Sequence, residues 1–269
     1  MQKIQAEWHE QWTLFKDEER FLFEEWIAPV TLEDFRGKSV LECGCGGGQH
    51  TSLVAAVASR ITAVDLNTVD IARGRTAGFA NVRFVVADIA NMELEEQFDV
   101  VFCIGVIHHT DNPNKTFASI YKHCKPEGRV IVWTYSAEGN GLMRYIVEPI
   151  RKIIFAWLPR SVLVPVSKLL TLFLYPLVFT VYRSARMSFL PYYEYFKNFR
   201  RLSFERNVLN VFDKLNAPQT RFTTKEQCHE WFNANRFVPT SISIRSYAGV
   251  SYSLTAVKRP RGAPCENLI

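Results

Sequence analysis

The residues with the most chemical content stand together. Val40-Leu41-Glu42-Cys43-Gly44-Cys45-Gly46-Gly47-Gly48 places an acid ahead of glycines at alternate positions 44, 46 and 48. Glycine lets the backbone turn sharply and leaves bare main chain for a ligand to lie against. A helix that starts just after such a loop points its free N–H groups at that ligand. The chemistry implied is binding of a nucleotide-like molecule at a strand-to-helix turn. It is not the dinucleotide pattern G-x-G-x-x-G, which counted from Gly44 needs glycine where the chain has Gln49. Counted from Gly46 it fails again, because glycine is needed where the chain has Thr51. Six cysteines (Cys43, Cys45, Cys103, Cys124, Cys228, Cys265) show no framework spacing. Cys43 and Cys45 lack a second Cys/His pair at a metal-like distance, so reduced thiols in a cytoplasmic protein are expected.

For that loop to face a ligand, a strand must end near Cys43 and a helix must begin near Gln49. The flanking sequence supplies both. Strands are predicted at 39–43, 61–65, 82–86, 98–104 and 129–135, several of them continuously apolar and rich in Val and Ile. Such runs suit a parallel sheet buried on both faces. Between them, Gln49–Ser59, Thr68–Gly78 and Pro113–Cys124 are each long enough for a crossover helix. This alternation predicts an α/β fold: a doubly wound, seven-stranded, mostly parallel, Rossmann-like sheet. The last two strands are 241–245 and 250–257, an antiparallel hairpin around Ala248-Gly249. A helix over Thr223–Asn235 is predicted to start with a Thr223/Glu226 capping box. Residues 1–36 form a helical N-terminal cap, with Trp8, Trp12 and Phe15 on one helix face. The core comprises 37–139 and 214–258, a helical insertion after strand five covers 140–213, and 259–269 is a flexible tail. The first residues contain no apolar signal-peptide core.

The motif set resembles the class I S-adenosylmethionine-dependent methyltransferases, whose first motif is an acid followed by G-x-G-x-G. The resemblance covers residues 38–135 well and the closing hairpin loosely. It implies that Gly44, Cys45, Gly46 and Gly48 form the loop against the methionine part of S-adenosyl-L-methionine. Glu42 would orient that loop and meet the amino group, often indirectly. Asp65, nineteen residues after Gly46, would accept both ribose hydroxyls, for which a carboxylate is suited. Leu66 would flank the adenine, Asp88 would accept from its amino group, and Ile89 would contribute neighbouring backbone. FDVVFCIGVIHH matches the fourth-strand motif, whose end (Ile104) lies nearest the methyl group. Lys125-Pro126-Glu127-Gly128-Arg129 resembles the family's turn before strand five. A base is needed only where the acceptor must lose a proton. His109 is the candidate for that base or for orienting the acceptor; the competing reading is a hydrogen-bonded structural histidine. Quinone-forming relatives bind a metal through a glutamate shortly before that histidine, and Gly105-Val106-Ile107-His108 here predicts no metal.

The insertion differs in composition from the rest. Gly141–Arg206 holds eleven Lys and Arg against three Asp and Glu, in a chain of net charge +5. It also holds 14 of the 36 aromatic residues. Ser161–Tyr182 contains one charge, Lys168, and is long enough for a membrane span. Lys168 and helix interruptions at Pro165 and Pro176 oppose a span, as does the need for strands on both sides of the insertion to share one sheet. Two readings stay open: a lid whose apolar faces are core, and peripheral membrane contact through residues 141–206. Arg206, Asp213 and Arg221 bracket the return to the core. They are read as surface ion-pairing residues, the alternative being the polar residues that similar bacterial small-molecule methyltransferases direct at the acceptor. No nucleic-acid-binding module is recognisable. The expected activity is methyl transfer to a small-molecule acceptor that is apolar, lipid-like or glycan-linked. A catalytically silent cofactor-binding scaffold is the alternative, and aminopropyl transfer is disfavoured by the basic insertion.

Overall fold

The computed structural model describes residues 2–15 and 19–262. The tail beyond 262, with Cys265, lies outside the described residues. Two helices, α1 (Gln2–Leu14) and α2 (Arg20–Ile27), precede the sheet. Then follow β1 (Ser39–Cys43), α3 (Gln49–Ala55), β2 (Arg60–Asp65), α4 (Val69–Arg75), β3 (Val82–Val86), β4 (Phe98–Ile104), α5 (Pro113–Lys122) and β5 (Cys124–Tyr135). The insertion carries α6 (Glu148–Ile153), α7 (Arg160–Thr180), α8 (Tyr193–Phe199) and α9 (Phe204–Asn216). The chain returns through α10 (Lys225–Trp231), β6 (Ser243–Tyr247) and β7 (Ser251–Val257).

The seven strands lie in the order β3-β2-β1-β4-β5-β7-β6, parallel except for β7, which pairs antiparallel with both β5 and β6. The order reverses beside β1, whose neighbours are β2 and β4. In doubly wound sheets the crevice for a ligand opens at that switch point, past the carboxyl ends of the strands. Alternation along the strands builds a core on each face. Val40, Val100, Phe102, Ile131 and Trp133 meet Phe23, Ile27 and Val54. Leu41, Cys43, Val101, Val130 and Val132 meet Phe117, Ile120 and Trp231. A third cluster joins Phe15 to Leu163, Val208 and Phe212, tying the N-terminal cap to the insertion.

Several boundaries differ from the sequence expectation for identifiable reasons. The Lys125–Gly128 turn is absorbed into β5, where Glu127 takes φ 61° at a register irregularity against β4. Thr223 does not cap the next helix. Its backbone bridges to the end of β5 and its hydroxyl meets that of Thr134 at 2.9 Å, so Thr224 caps instead, accepting from the Gln227 amide. Pro165 and Pro176 do not interrupt α7, which is continuous over 21 residues. Of the two open readings of this segment, core burial holds for one face only, that of Leu163, Ser167, Thr171 and Val178. Only 22% of its most apolar window is buried.

Candidate active site

One cavity of about 490 Å³ opens at the switch point and gathers most of the predicted residues. Gly44, Gly46, Asp65, Leu66, Asp88, Ile89, Ile104 and His109 all line it. Glu42, Cys45 and Gly48 do not reach its wall. Gly48 begins α3 at φ 79°, and a Cβ there would stand 2.8 Å from the Ala72 Cα. Its requirement is therefore close packing of the loop on α4. Cys45 is buried beneath the loop with Ala63 and Ala72.

The acids are held by backbone amides. Asp65 Oδ2 accepts from the Gly46 amide at 3.0 Å and Oδ1 from the Asn67 amide at 3.2 Å, which joins the end of β2 to the glycine turn. A carboxylate oxygen has lone pairs to spare beyond one such bond. Asp88 makes the same kind of local turn, Oδ1 accepting from the Ala90 amide at 3.0 Å. Glu42 lies fully buried under the loop, with Thr51 Oγ1 donating to its Oε2 at 2.5 Å. Its other oxygen, Oε1, has no hydrogen-bond partner, and neither have Gln49 Oε1 and Thr68 Oγ1 on the cavity wall. Buried polar atoms without partners are costly. Bare main chain, a diol-compatible carboxylate and the unpartnered Gln49 and Thr68 oxygens on the wall fit a ligand with an ammonium group and a ribose.

Burial pushes the Glu42 carboxyl up to about 8, with the neighbouring Asp65 charge adding to it and the Thr51 hydrogen bond opposing it. The native pKa stands above that of the unfolded chain, so the unfolded state loses its proton first. Stability from this group is therefore lost as pH rises from about 4.5 to about 8. Glu42→Gln stays neutral in both states and can keep the Thr51 bond. We expect it to stabilise the ligand-free protein by up to ~3 kcal/mol near neutral pH. Melting curves check this: the gain should vanish near pH ~4.5, and a lower melting temperature at both pH values would refute it.

His108 and His109 follow β4 and diverge in role. His108 is buried, its Nδ1 near the Thr134 hydroxyl (3.3 Å) and the Tyr135 amide (3.4 Å). His109 is half-buried on the cavity wall, its ring 4.6 Å from that of Trp8. Its Nδ1 lies 2.8 Å from the Gln219 carbonyl oxygen, which can only accept, so Nδ1 carries the proton and Nε2 is the free base. Burial lowers its pKa, opposed by Asp213 and the Gln219 bond and assisted by Arg151. The ring is neutral at physiological pH.

The sequence reading placed a lid on the opposite side without naming most of the residues that form this wall. Trp8 and Trp12 from α1 face the cavity, and Trp12 covers the glycine turn so closely that a Cβ on Gly46 would stand 2.9 Å from its indole. From the insertion come Tyr195, Phe199, Leu202, Arg206, Asp213 and Lys214. Arg206 and Asp213 are thus not surface ion-pairing residues. Asp213 accepts from Gln11 Nε2 at 3.2 Å and from the Tyr135 hydroxyl at 3.3 Å, and Arg206 is 8% exposed. Arg221 is exposed but forms no ion pair among the described residues. The tryptophans carried a sequence signal, their common helix face, but that face alone does not say what it meets.

A glycine turn at the switch point of a doubly wound sheet, tied to an acid at the end of the adjacent strand, defines a nucleotide-binding α/β domain. Residues 41–132 match the methyltransferase domain family, and this segment is a class I, S-adenosylmethionine-dependent methyltransferase domain. The chain is 29% identical over 125 residues to a ubiquinone biosynthesis O-methyltransferase of Rickettsia akari, covering 45% of this chain and 49% of that protein. It is 29% identical over 130 residues to one of Pseudomonas putida, covering 46% and 55%. The chain thus spans about half the length of these curated relatives. An O-methyltransferase family protein from Burkholderia thailandensis shares the fold at a TM-score of 0.51 and 12% identity, covering 90% of this chain and 57% of that one. The family match ends at residue 132, before the insertion that builds the second wall.

Proposed function

We propose that the chain transfers a methyl group from S-adenosylmethionine to a nucleophilic hydroxyl of a small, largely apolar acceptor, with His109 as general base. The observation that carries this reading is the shared cavity: the glycine turn and Asp65 on one side, a neutral His109 with a free Nε2 on the other. S-adenosylmethionine would supply a methyl group on a sulfonium, the acceptor attacking it in line as the demethylated thioether leaves. Gly44, Gly46, Asp65 and Asp88 would hold the cofactor, with Glu42 beneath the loop orienting the turn. Positioning supplies much of the rate in such a displacement. His109 Nε2 takes the acceptor's proton, and the Asp213 carboxylate favours the resulting imidazolium. The Gln219 carbonyl keeps the ring in the tautomer that leaves Nε2 open.

The wall built by α1 and the insertion sets the acceptor's character. Trp8, Phe199, Leu202 and Leu209 offer apolar surface, while Tyr195 and Lys214 offer donors beside it. Such a wall suits a lipid-like body with one polar end. The relatives' name, O-methyltransferase, favours oxygen as the nucleophile. Calorimetry should show S-adenosylmethionine or its demethylated product binding in the micromolar range, about −8 kcal/mol. Methyl-labelled cofactor incubated with lipid and metabolite extracts should label an organic-soluble product. Tight NAD binding without response to the sulfonium cofactor would overturn the reading. Cofactor binding with no labelled product in any extract would favour the scaffold alternative.

A further inference from the structure

Helix α7 is apolar on the wrong side for a soluble protein. Its inward positions Leu163, Ser167, Thr171 and Val178 are buried, and Leu163 packs with Val208, Leu209 and Phe212 of α9. Two of those four positions carry hydroxyls, satisfied within the helix: Ser167 donates to the Leu163 carbonyl and Thr171 to the Ser167 carbonyl, each at 2.7 Å. The outward face carries Val162, Pro165, Leu169, Leu172, Phe173 and Pro176, at the i, i+3, i+4 spacing of one helical stripe. Leu169, Leu172 and Phe173 are 53%, 58% and 70% exposed. The segment leading into the helix adds Ile153 and Trp157, 74% and 78% exposed. Monomeric soluble proteins rarely expose apolar surface on this scale without a use for it.

Charge identifies what covers this face. From Arg160 to Leu190 the chain contains no Asp or Glu. Lys168 stands at the flank of the apolar stripe, and Arg183 and Arg186 are exposed just past the helix end. These three form no ion pair among the described residues. An apolar stripe rimmed by unpaired cations and free of acids matches the interfacial layer of an anionic membrane: acyl chains beneath, phosphates at the edge. A bilayer-crossing arrangement is incompatible with the fold, because α9 occupies the inner face of α7 and the strands flanking the insertion, β5 and β7, pair side by side.

We propose that α7 lies flat on an anionic phospholipid bilayer, its Leu169–Phe173 face in the acyl region and Lys168, Arg183 and Arg186 at the phosphates. The docking stands independently of methyl transfer. Helix α9, which backs α7, lends Arg206, Leu209, Asp213 and Lys214 to the cavity wall, so the membrane face and the site share one support.

The test is flotation of the full chain with phosphatidylcholine vesicles, with and without phosphatidylglycerol. Binding should require the anionic lipid and weaken as salt rises. A Leu169→Glu/Phe173→Glu variant should bind at least about tenfold more weakly, and Lys168→Gln about fivefold. Both should keep cofactor affinity, which reports that the fold is intact. Equal binding to neutral vesicles, or none to either kind, would overturn the proposal. So would a concentration-dependent dimer dispersed by the Leu169/Phe173 variant without any vesicle binding, since a second copy would then be the occupant.

Discussion

Replacing His109 with alanine should lower turnover by about 10²–10⁴-fold, the usual size of a general-base contribution, while cofactor affinity stays within about threefold. The split follows from position. His109 lines the cavity beyond the glycine turn, and neither Asp65 nor the turn leans on it for a hydrogen bond. The pH profile separates a base from a merely packed ring. Burial lowers the pKa from the ordinary 6.5. The base form therefore dominates at neutral pH, and kcat/KM should rise with pH through a midpoint below 6.5, then stay flat. In the alanine variant that acid limb should disappear. His108→Ala should behave differently, lowering stability because its buried ring supports Thr134 and the Tyr135 amide. A larger kinetic loss in the His108 variant would place the base on the wrong neighbour.

The contrast between these histidines shows what the sequence could and could not tell. The cofactor half was legible because its contacts are local. An acid, a glycine turn and a strand-terminal carboxylate sit at fixed offsets within a β-α-β unit, and the apolar runs that position them report their own burial. Asp65 and Asp88 were found through the family resemblance, at the offsets its motifs require, and both reach the cavity. Of the acceptor half only His109 and a covering insertion were legible, because the rest is assembled from segments far apart in sequence. Trp8 meets His109, Gln11 meets Asp213, and Tyr135 meets Asp213 across 78 positions. No periodicity within one segment encodes such a meeting. The two readings of helix α7 stayed open for a related reason. Hydropathy reports that its residues are apolar, but which face is covered depends on where α9 packs. Thr223 lost its capping role the same way, when β5 took its backbone and Thr134 its hydroxyl.

Asp65→Ala should weaken binding of S-adenosylmethionine and its demethylated product by about a hundredfold or more. Two effects combine. In the ligand-free protein the carboxylate accepts from the Gly46 and Asn67 amides, so it shapes the turn against which the methionine part would lie. Its remaining lone pairs are those suited to the ribose diol. Hydrogen bonds to a charged partner contribute about 1.5–3 kcal/mol each, so losing two on the ligand accounts for the expected factor before any loosening of the turn. Asp65→Asn divides the effects, since one carbonyl oxygen remains as acceptor but the charge is gone. It should lose about tenfold, roughly 1.4 kcal/mol, and keep the turn near its native form. Both variants should fold, because Asp65 closes β2 at the cavity edge and lies outside the two sheet cores. Calorimetry with the demethylated product avoids turnover during the titration. Affinity within threefold of the native protein in the alanine variant would place the ribose elsewhere. Equal losses for alanine and asparagine would mean that the negative charge governs binding, leaving the turn's shape no measurable part in holding the cofactor.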